Sequence, residues 1–477
     1  MKTLRHVKSF FSGERAADSS PPLFLTFRSC TTLIVATVCI AIFNDILLYG
    51  IIVPVIPYSL AERVAIEQHE VQKWNTILGA CFTASLCIGS LVLGSYADRG
   101  LSRRWTMLLG LFALLGSTLL LCLGRVISLL VLGRILQGLS AAVVWSAGLA
   151  LMSDTMGDQI GVAMGYASMA MTIGSLISPT IGGAVYSRAG YYAVYYVGFG
   201  AILFDTVLRL VLIEKKVARQ WVDGDHNNLE LVATQRSSIV RDGLTGVAVS
   251  AQATKCYEDT ESAPVEALGG VTVKHPKLRI LKSHRLLAAN FGVLVQAGAV
   301  FMGDTVVQVF VMKTFHWDSL GAGLILFCIC IPGLVAPAVG WLVDRYGAKW
   351  PSMLGFMASV PPMVCLRLVN NDTTHDKMLF GALLTMLGLT YTFAATPLMA
   401  EIGYVIRAEE SKSPGAFGPN GFYGFGYGLF TFSFALGGTI GSFASGYLVN
   451  HHFWVEHYDG CFCRLVGPLR NCDSSLG

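Results

Sequence analysis

Residues 94–104 read Gly94-Ser-Tyr-Ala-Asp98-Arg99-Gly100-Leu-Ser-Arg103-Arg104, and the frame returns 246 residues later as Gly340-Trp-Leu-Val-Asp344-Arg345. Each G-x-x-x-D-R closes a long apolar run. Glycine admits a neighbouring helix closely, and an aspartate at a helix end can hold an arginine or the N-terminal dipole of another helix. A second echo lies deeper in each half: Gly174-Ser-Leu-Ile-Ser-Pro179-Thr-Ile-Gly182-Gly183 and, 263 residues on, Gly437-Gly-Thr-Ile-Gly441-Ser-Phe-Ala-Ser-Gly446. Two echoes in matching positions indicate a duplicated helical unit. Parallel repeats of this kind place a substrate site between the halves, near the bilayer midplane.

The rest of the chain suits a lipid solvent. Of 477 residues, 53% are hydrophobic and only 13% charged, against about 25% charged in soluble proteins. That excludes a disordered chain, a disulfide scaffold and almost any soluble enzyme of this length. The net charge of +4 is scattered and gives no reason to expect nucleic acid. The apolar stretches are continuous rather than alternating, so the class is an all-α membrane protein and not a barrel. Runs long enough to span lie near 31–58, 76–97, 105–123, 126–152, 159–187 and 191–213, then 286–312, 319–343, 350–369, 377–406 and 421–449. The predicted organisation is a tail over 1–30, a six-helix bundle over 31–213, a linker over 214–285, a five-helix bundle over 286–449 and a polar tail over 450–477. That last tail holds His451, His452, His457, Cys461, Cys463 and Cys472, whose spacing matches no zinc pattern. No metal and no cofactor are expected.

Lysine and arginine set the orientation. They crowd the N-terminal tail (Lys2, Arg5, Lys8, Arg15, Arg28), the loop after span 2 (Arg99, Arg103, Arg104) and the loop after span 8 (Arg345, Lys349). These are predicted to be cytoplasmic. The sequon Asn371-Asp372-Thr373 then falls outside, as glycosylation requires.

The few charges within the spans are costly and mark function by default. Asp45 lies mid-span in the first helix, where a carboxylate can take up a proton or an organic cation in exchange. Arg134-Ile-Leu-Gln137-Gly138 puts an arginine inside span 4 with Gln137 on the same face. Arg134 is expected to sense a nearby carboxylate, or else to snorkel to the interface. Asp304 in span 7 and Glu401 in span 10 are further candidates for the cavity, with Arg407 as an alternative partner for Glu401. In span 5, Gly174, Gly182 and Gly183 are read as a packing face, and Pro179 as a bend.

These motifs, in this order, resemble the major facilitator superfamily. The fit is closest to its drug:proton antiporter branch, whose signatures are the G-x-x-x-D-R-x-G-R-R loop, the R-x-x-Q-G helix and the G-x(4)-P-x-x-G-G motif. The resemblance covers about residues 30–449. Asp45-Ile-Leu-Leu-Tyr-Gly-Ile-Ile-Val-Pro54-Val-Ile-Pro57 further resembles the first helix of vesicular amine transporters and the fungal multidrug-type proteins related to them. The resemblance implies two parallel six-helix repeats, with the twelfth helix apparently missing. It also implies a proton-coupled antiporter of small organic compounds, with a small organic substrate, protons and the bilayer as partners and a monomer as the working unit. Two positions depart from the vesicular amine pattern: its helix-2 lysine appears here as Phe82 and its helix-11 acid as Thr431. Both charges are gone together, which favours a broader, more lipophilic substrate range than monoamines. The alternatives are an uncoupled facilitator and a transport-inactive sensor or truncated isoform. A plasma, vacuolar or vesicular membrane is the expected location.

Overall fold

In hydrocarbon no water can satisfy a backbone amide, so each apolar run must close its own hydrogen bonds as a helix. The computed structural model describes residues 22, 24–52, 55–56, 59–60, 63–64, 66–99, 102–221, 276–317, 321, 325–369, 371–412 and 421–450. Among them the long helices are α1 (Thr31–Ile52), α2 (Gln68–Ala97), α3 (Arg104–Leu123), α4 (Ile127–Met156), α5 (Ile160–Ala189) and α6 (Tyr191–Val211). A second set follows: α7 (His284–Thr314), α8 (Leu326–Tyr346), α9 (Lys349–Cys365), α10 (Thr374–Lys412) and α11 (Tyr423–Asn450). No strand occurs among the described residues. Nine of the eleven are long and apolar enough to span by length and composition; α9, with 17 residues, is too short for that measure. Most of the 214–285 linker, the first 21 residues and the His- and Cys-bearing tail lie outside the described residues. Large apolar side chains such as Ile88, Phe112, Leu203, Phe291 and Met357 point outward, as lipid-facing residues do.

The helices meet in a repeated pattern. Within the halves α1 lies on α5 and α2 on α4; their counterparts are α7 on α11 and α8 on α10. Across the halves α2 meets α11 and α8 meets α5. The two echoes seen in the sequence are therefore in contact with each other: the G-x-x-x-D-R helix of one half lies on the glycine-run helix of the other.

Apolar packing divides the molecule along its length. One buried core, running from Ile34 and Met107 through Ala163 to Val343, Ile402 and Tyr427, joins both halves toward the motif end. At the opposite end there are two separate cores. Leu48, Leu111, Leu121 and Ile202 belong to the first half; Val311, Ile325, Phe380 and Leu384 belong to the second. The halves are fused at the end that carries the motifs and distinct at the other.

Candidate functional site

The motif end is closed by two aspartates that cap helices of the opposite half. Asp98, at the end of α2, accepts the backbone amides of Gly424 and Phe425 at 2.8 Å each, in the first turn of α11. Asp344, in the last turn of α8, accepts those of Gly161 and Val162 at 2.6 and 2.9 Å, in the first turn of α5. A helix N-terminus carries unsatisfied N–H groups and about half a positive charge, so it can hold a carboxylate by itself; Asp344 has no ion pair among the described residues, whereas Asp98 also meets a cation. Glycine makes the approach possible. A Cβ on Gly94 would strike the carbonyl of Gly424, and one on Gly340 would strike that of Gly161.

The arginines of the motif divide differently from the expectation. Arg99 and Arg345 are exposed, Arg345 lying over the rings of Trp341 and Tyr346. Arg103 is the one that meets Asp98, at 3.2 Å, and it also pairs with Asp154 of α4. Burial works against this guanidinium, but Asp154 and Asp98 beside it hold its pKa above the usual value. Arg104 turns to α6 instead and donates to the carbonyls of Arg209, at 3.0 Å, and Leu210. Lysine or arginine at a helix C-terminus satisfies its orphan carbonyls.

Asp45 sits about 21 Å along α1 and is buried, 5% exposed. Its Oδ2 accepts the indole Nε1–H of Trp145 at 3.0 Å, while Oδ1 has no hydrogen-bond partner. Trp145 belongs to a π-helical turn, Val144–Gly148, that interrupts α4. Single π-turns are frequent at functional sites. The indole stacks on Phe434 of α11 with centroids 6.2 Å apart.

Arg134 does not snorkel, and no carboxylate contacts it among the described residues. It is 2% exposed, donates to Gln137 Oε1 at 2.7 Å, and lies 5.5 Å from the ring centroid of Tyr49, one turn beyond Asp45. Among the described residues it makes no ion pair, and Nε and Gln137 Nε2 lack partners. Tyr49 in turn contacts Phe82 at 4.7 Å. At the two departures from the vesicular amine pattern, Phe82 is thus buried against an aromatic ring, and Thr431 donates to the carbonyl of Tyr427.

Asp304 is half-buried and has no hydrogen bond or ion pair among the described residues. Glu401 is not free: it pairs with Arg285, in the first turn of α7, at 2.8 Å, while Arg407 goes to Asp158. In α5, Gly174 and Gly182 face α1, Gly174 against Ile46 and Gly182 against the backbone of Ile51. Gly183 departs from the expectation, since nothing approaches it; Ser178, four residues from each of the other two, completes the face against Gly50. Pro179 is exposed, and α5 continues through it as helix. Asn371 is exposed between α9 and α10.

Four residues escape the reading of the sequence. Trp145 left no periodic signal. Asp154 lies near the end of α4, outside the motifs. Asp205 and Arg209 of α6 form a buried bidentate pair at 2.9 and 2.6 Å, and their i,i+4 spacing in an apolar span was the available clue.

This is a two-half helical membrane transporter fold with interdigitated end contacts. The sequence profile of the Major Facilitator Superfamily matches residues 38–442, and the chain belongs to that family. It is 30% identical to an MFS-type transporter of Schizosaccharomyces pombe over 428 residues, 89% of this chain and 91% of that one. It is 28% identical to the MFS-type transporter ppzB of Metarhizium rileyi, over 90% of this chain and 92% of that one. A probable vesicular acetylcholine transporter of Danio rerio matches at 29% over 42% of each chain. Among solved structures, the human organic anion transporter MFSD10 superposes with a TM-score of 0.60 at 16% identity, covering 91% of this chain and 96% of that one. The chain is therefore an integral, multi-pass membrane transporter of small molecules.

Proposed function

We propose that the protein is a proton-coupled antiporter that expels small organic compounds, cationic or lipophilic, by alternating access. The observation that carries this reading is Asp45: a buried carboxylate deep in a spanning helix, held by a single N–H, with its second oxygen unpartnered. An acid kept there at such cost is suited to exchange one cation for another. The fused motif end and divided opposite end support a molecule in its outward-facing state, given basic loops on the cytoplasmic side. Asp98 and Asp344, with Gly94 and Gly340, form the inner gate. The seam of Gly174, Ser178 and Gly182 lets α5 move over α1. Arg134 with Gln137 tunes the region beside Tyr49, and Asp304 offers a second acid to the space between halves. Asn371 carries the glycan on the outer side, in a plasma, vacuolar or vesicular membrane.

The test is efflux of a fluorescent organic cation from vesicles under an imposed pH gradient, for the native chain and Asp45→Asn. Gradient-driven efflux that disappears in the variant is the expected result. Efflux indifferent to the gradient would replace antiport by facilitation, and absence of efflux from the native chain would remove organic cations as the substrate class.

A further inference from the structure

Trp145 stands between the intramembrane acid and the opposite half of the molecule. Its indole edge donates to Asp45 Oδ2 at 3.0 Å. Its face lies on Phe434 of α11, with 17° between the ring planes. Phe434 then meets Phe301 of α7 edge-on at 5.8 Å and Phe430 at 6.2 Å. One side chain of the first half thus touches the acid with its edge and the second half with its face. The indole sits within the π-helical turn, whose wider winding shifts the register of α4 at this point.

The same α11 begins at the gate. Phe425, whose amide is held by Asp98, lies nine residues before Phe434, about 14 Å along the helix. A contiguous route therefore runs from Asp45 through Trp145 and Phe434 to the amides that Asp98 caps. Among the described residues Asp45 has no competing ionic partner. Asp205 and Arg209, the charged pair facing it from α6, are bound to each other. Arg134 of α4 is directed to Gln137 and Tyr49, and among the described residues the indole is the sole hydrogen-bond partner of Asp45.

We propose that Trp145 couples the charge of Asp45 to closure of the motif end: anionic Asp45 holds the indole, the indole holds α11, and neutralising Asp45 releases both. The proposal rests on reading Asp45 as the exchange site. A charged acceptor holds an N–H about five- to tenfold more tightly than a neutral one. That factor is enough to shift a balanced pair of conformations. Uptake of a proton from outside would then loosen the inner gate, which is the order of events that antiport requires.

Hydrogen exchange at the Gly424 and Phe425 amides tests this in the full chain in lipid, with protons as the only ligand and rates corrected for intrinsic pH dependence. In the native chain, protection should fall about five- to tenfold as pH drops between about 8 and 5, the range in which a desolvated carboxylate takes up its proton. Asp45→Asn should show low protection and no step. Trp145→Phe keeps a ring against Phe434 and loses the N–H, so its step should also vanish. Phe434→Leu keeps the hydrogen bond and loses the stack; it should give the same flat profile, and it serves if Trp145→Phe does not fold. A step that survives in Asp45→Asn originates at the gate itself, at Asp98 or at Asp154, Glu214 or Glu410 around Arg103, and overturns the proposal. So does a step that persists in both Trp145→Phe and Phe434→Leu, or a native chain with no step. The outcomes stay separable from the transport reading. If efflux fails but the step behaves as described, the coupling stands without that substrate. If Asp45-dependent efflux is found with the step intact in both aromatic variants, antiport stands and the coupling does not.

Discussion

Asp98 takes the amides of Gly424 and Phe425 and is buried beside Arg103; Asp344 takes the amides of Gly161 and Val162 and is half-buried beside the hydroxyl of Tyr404. The backbone of the two clasps is the same, down to the glycines that let the helices touch. Their side-chain settings are not. In the first clasp Arg103 draws in Asp154 of α4, which also holds Lys216 at 3.3 Å, so the contact is tied into two further segments. In the second, a single phenol replaces that network. The duplication has kept what a helix N-terminus needs, a carboxylate and room to reach it. The cation is an addition of one half.

The largest expected difference follows from that network. Asp98→Ala leaves two buried amides without their acceptor and takes from Arg103 one of its two carboxylates, Asp154 remaining, a loss of about 2–5 kcal/mol. Asp344→Ala abandons two amides and a phenol nearer to water, about 1–3 kcal/mol. Exchange at residues 424–425 in one variant and 161–162 in the other, together with thermal unfolding, gives both values. Equal losses would break the comparison.

The division between what the sequence carries and what it hides has the same physical basis. Backbone capping needs a fixed spacing, so G-x-x-x-D-R is visible twice, and the glycine run of α5 and α11 is visible for the same reason. The identity of the cation is not fixed by spacing. Arg99 follows Asp98 directly but projects into solvent, while Arg103, past a turn, reaches back. Intramembrane charge is equally legible: Asp45, Arg134 and Asp304 stand out in apolar runs. Their partners do not, because an indole or a tyrosine ring blends into a hydrophobic span. Trp145, which meets Asp45, lies in a π-helical turn, a local rewinding with no compositional signature among Val144, Ser146, Ala147 and Gly148. Glu401 shows the converse: the sequence offers Arg407 as its partner, and the fold brings Arg285 to it instead.

The glycines provide a middle-sized test, in which the two clasps should agree. A methyl added at residue 94 or 340 would collide with a backbone carbonyl rather than a movable side chain, so neither site can relax by rotamer change. Gly94→Ala and Gly340→Ala should each cost about 1–3 kcal/mol, the usual penalty for overpacking. They should lower the midpoint of thermal unfolding by similar amounts. A large disparity between them would mean that one clasp is looser than its geometry.

The smallest effect sharpens the comparison most. Arg99 and Arg345 occupy identical places in the two motifs, and both are exposed. Substitution of an exposed side chain away from a cap or core usually changes stability by no more than about 0.5 kcal/mol. Arg99→Gln and Arg345→Gln should therefore leave both unfolding and exchange at the capped amides unchanged. Arg103→Gln, by contrast, leaves Asp98 and Asp154 facing each other with their shared cation removed, and should weaken protection at 424–425 but not at 161–162. If Arg99→Gln instead matched Arg103→Gln, the arginine next to the aspartate would belong to the clasp. The asymmetry between the halves would then lie in position rather than in the presence of a buried cation.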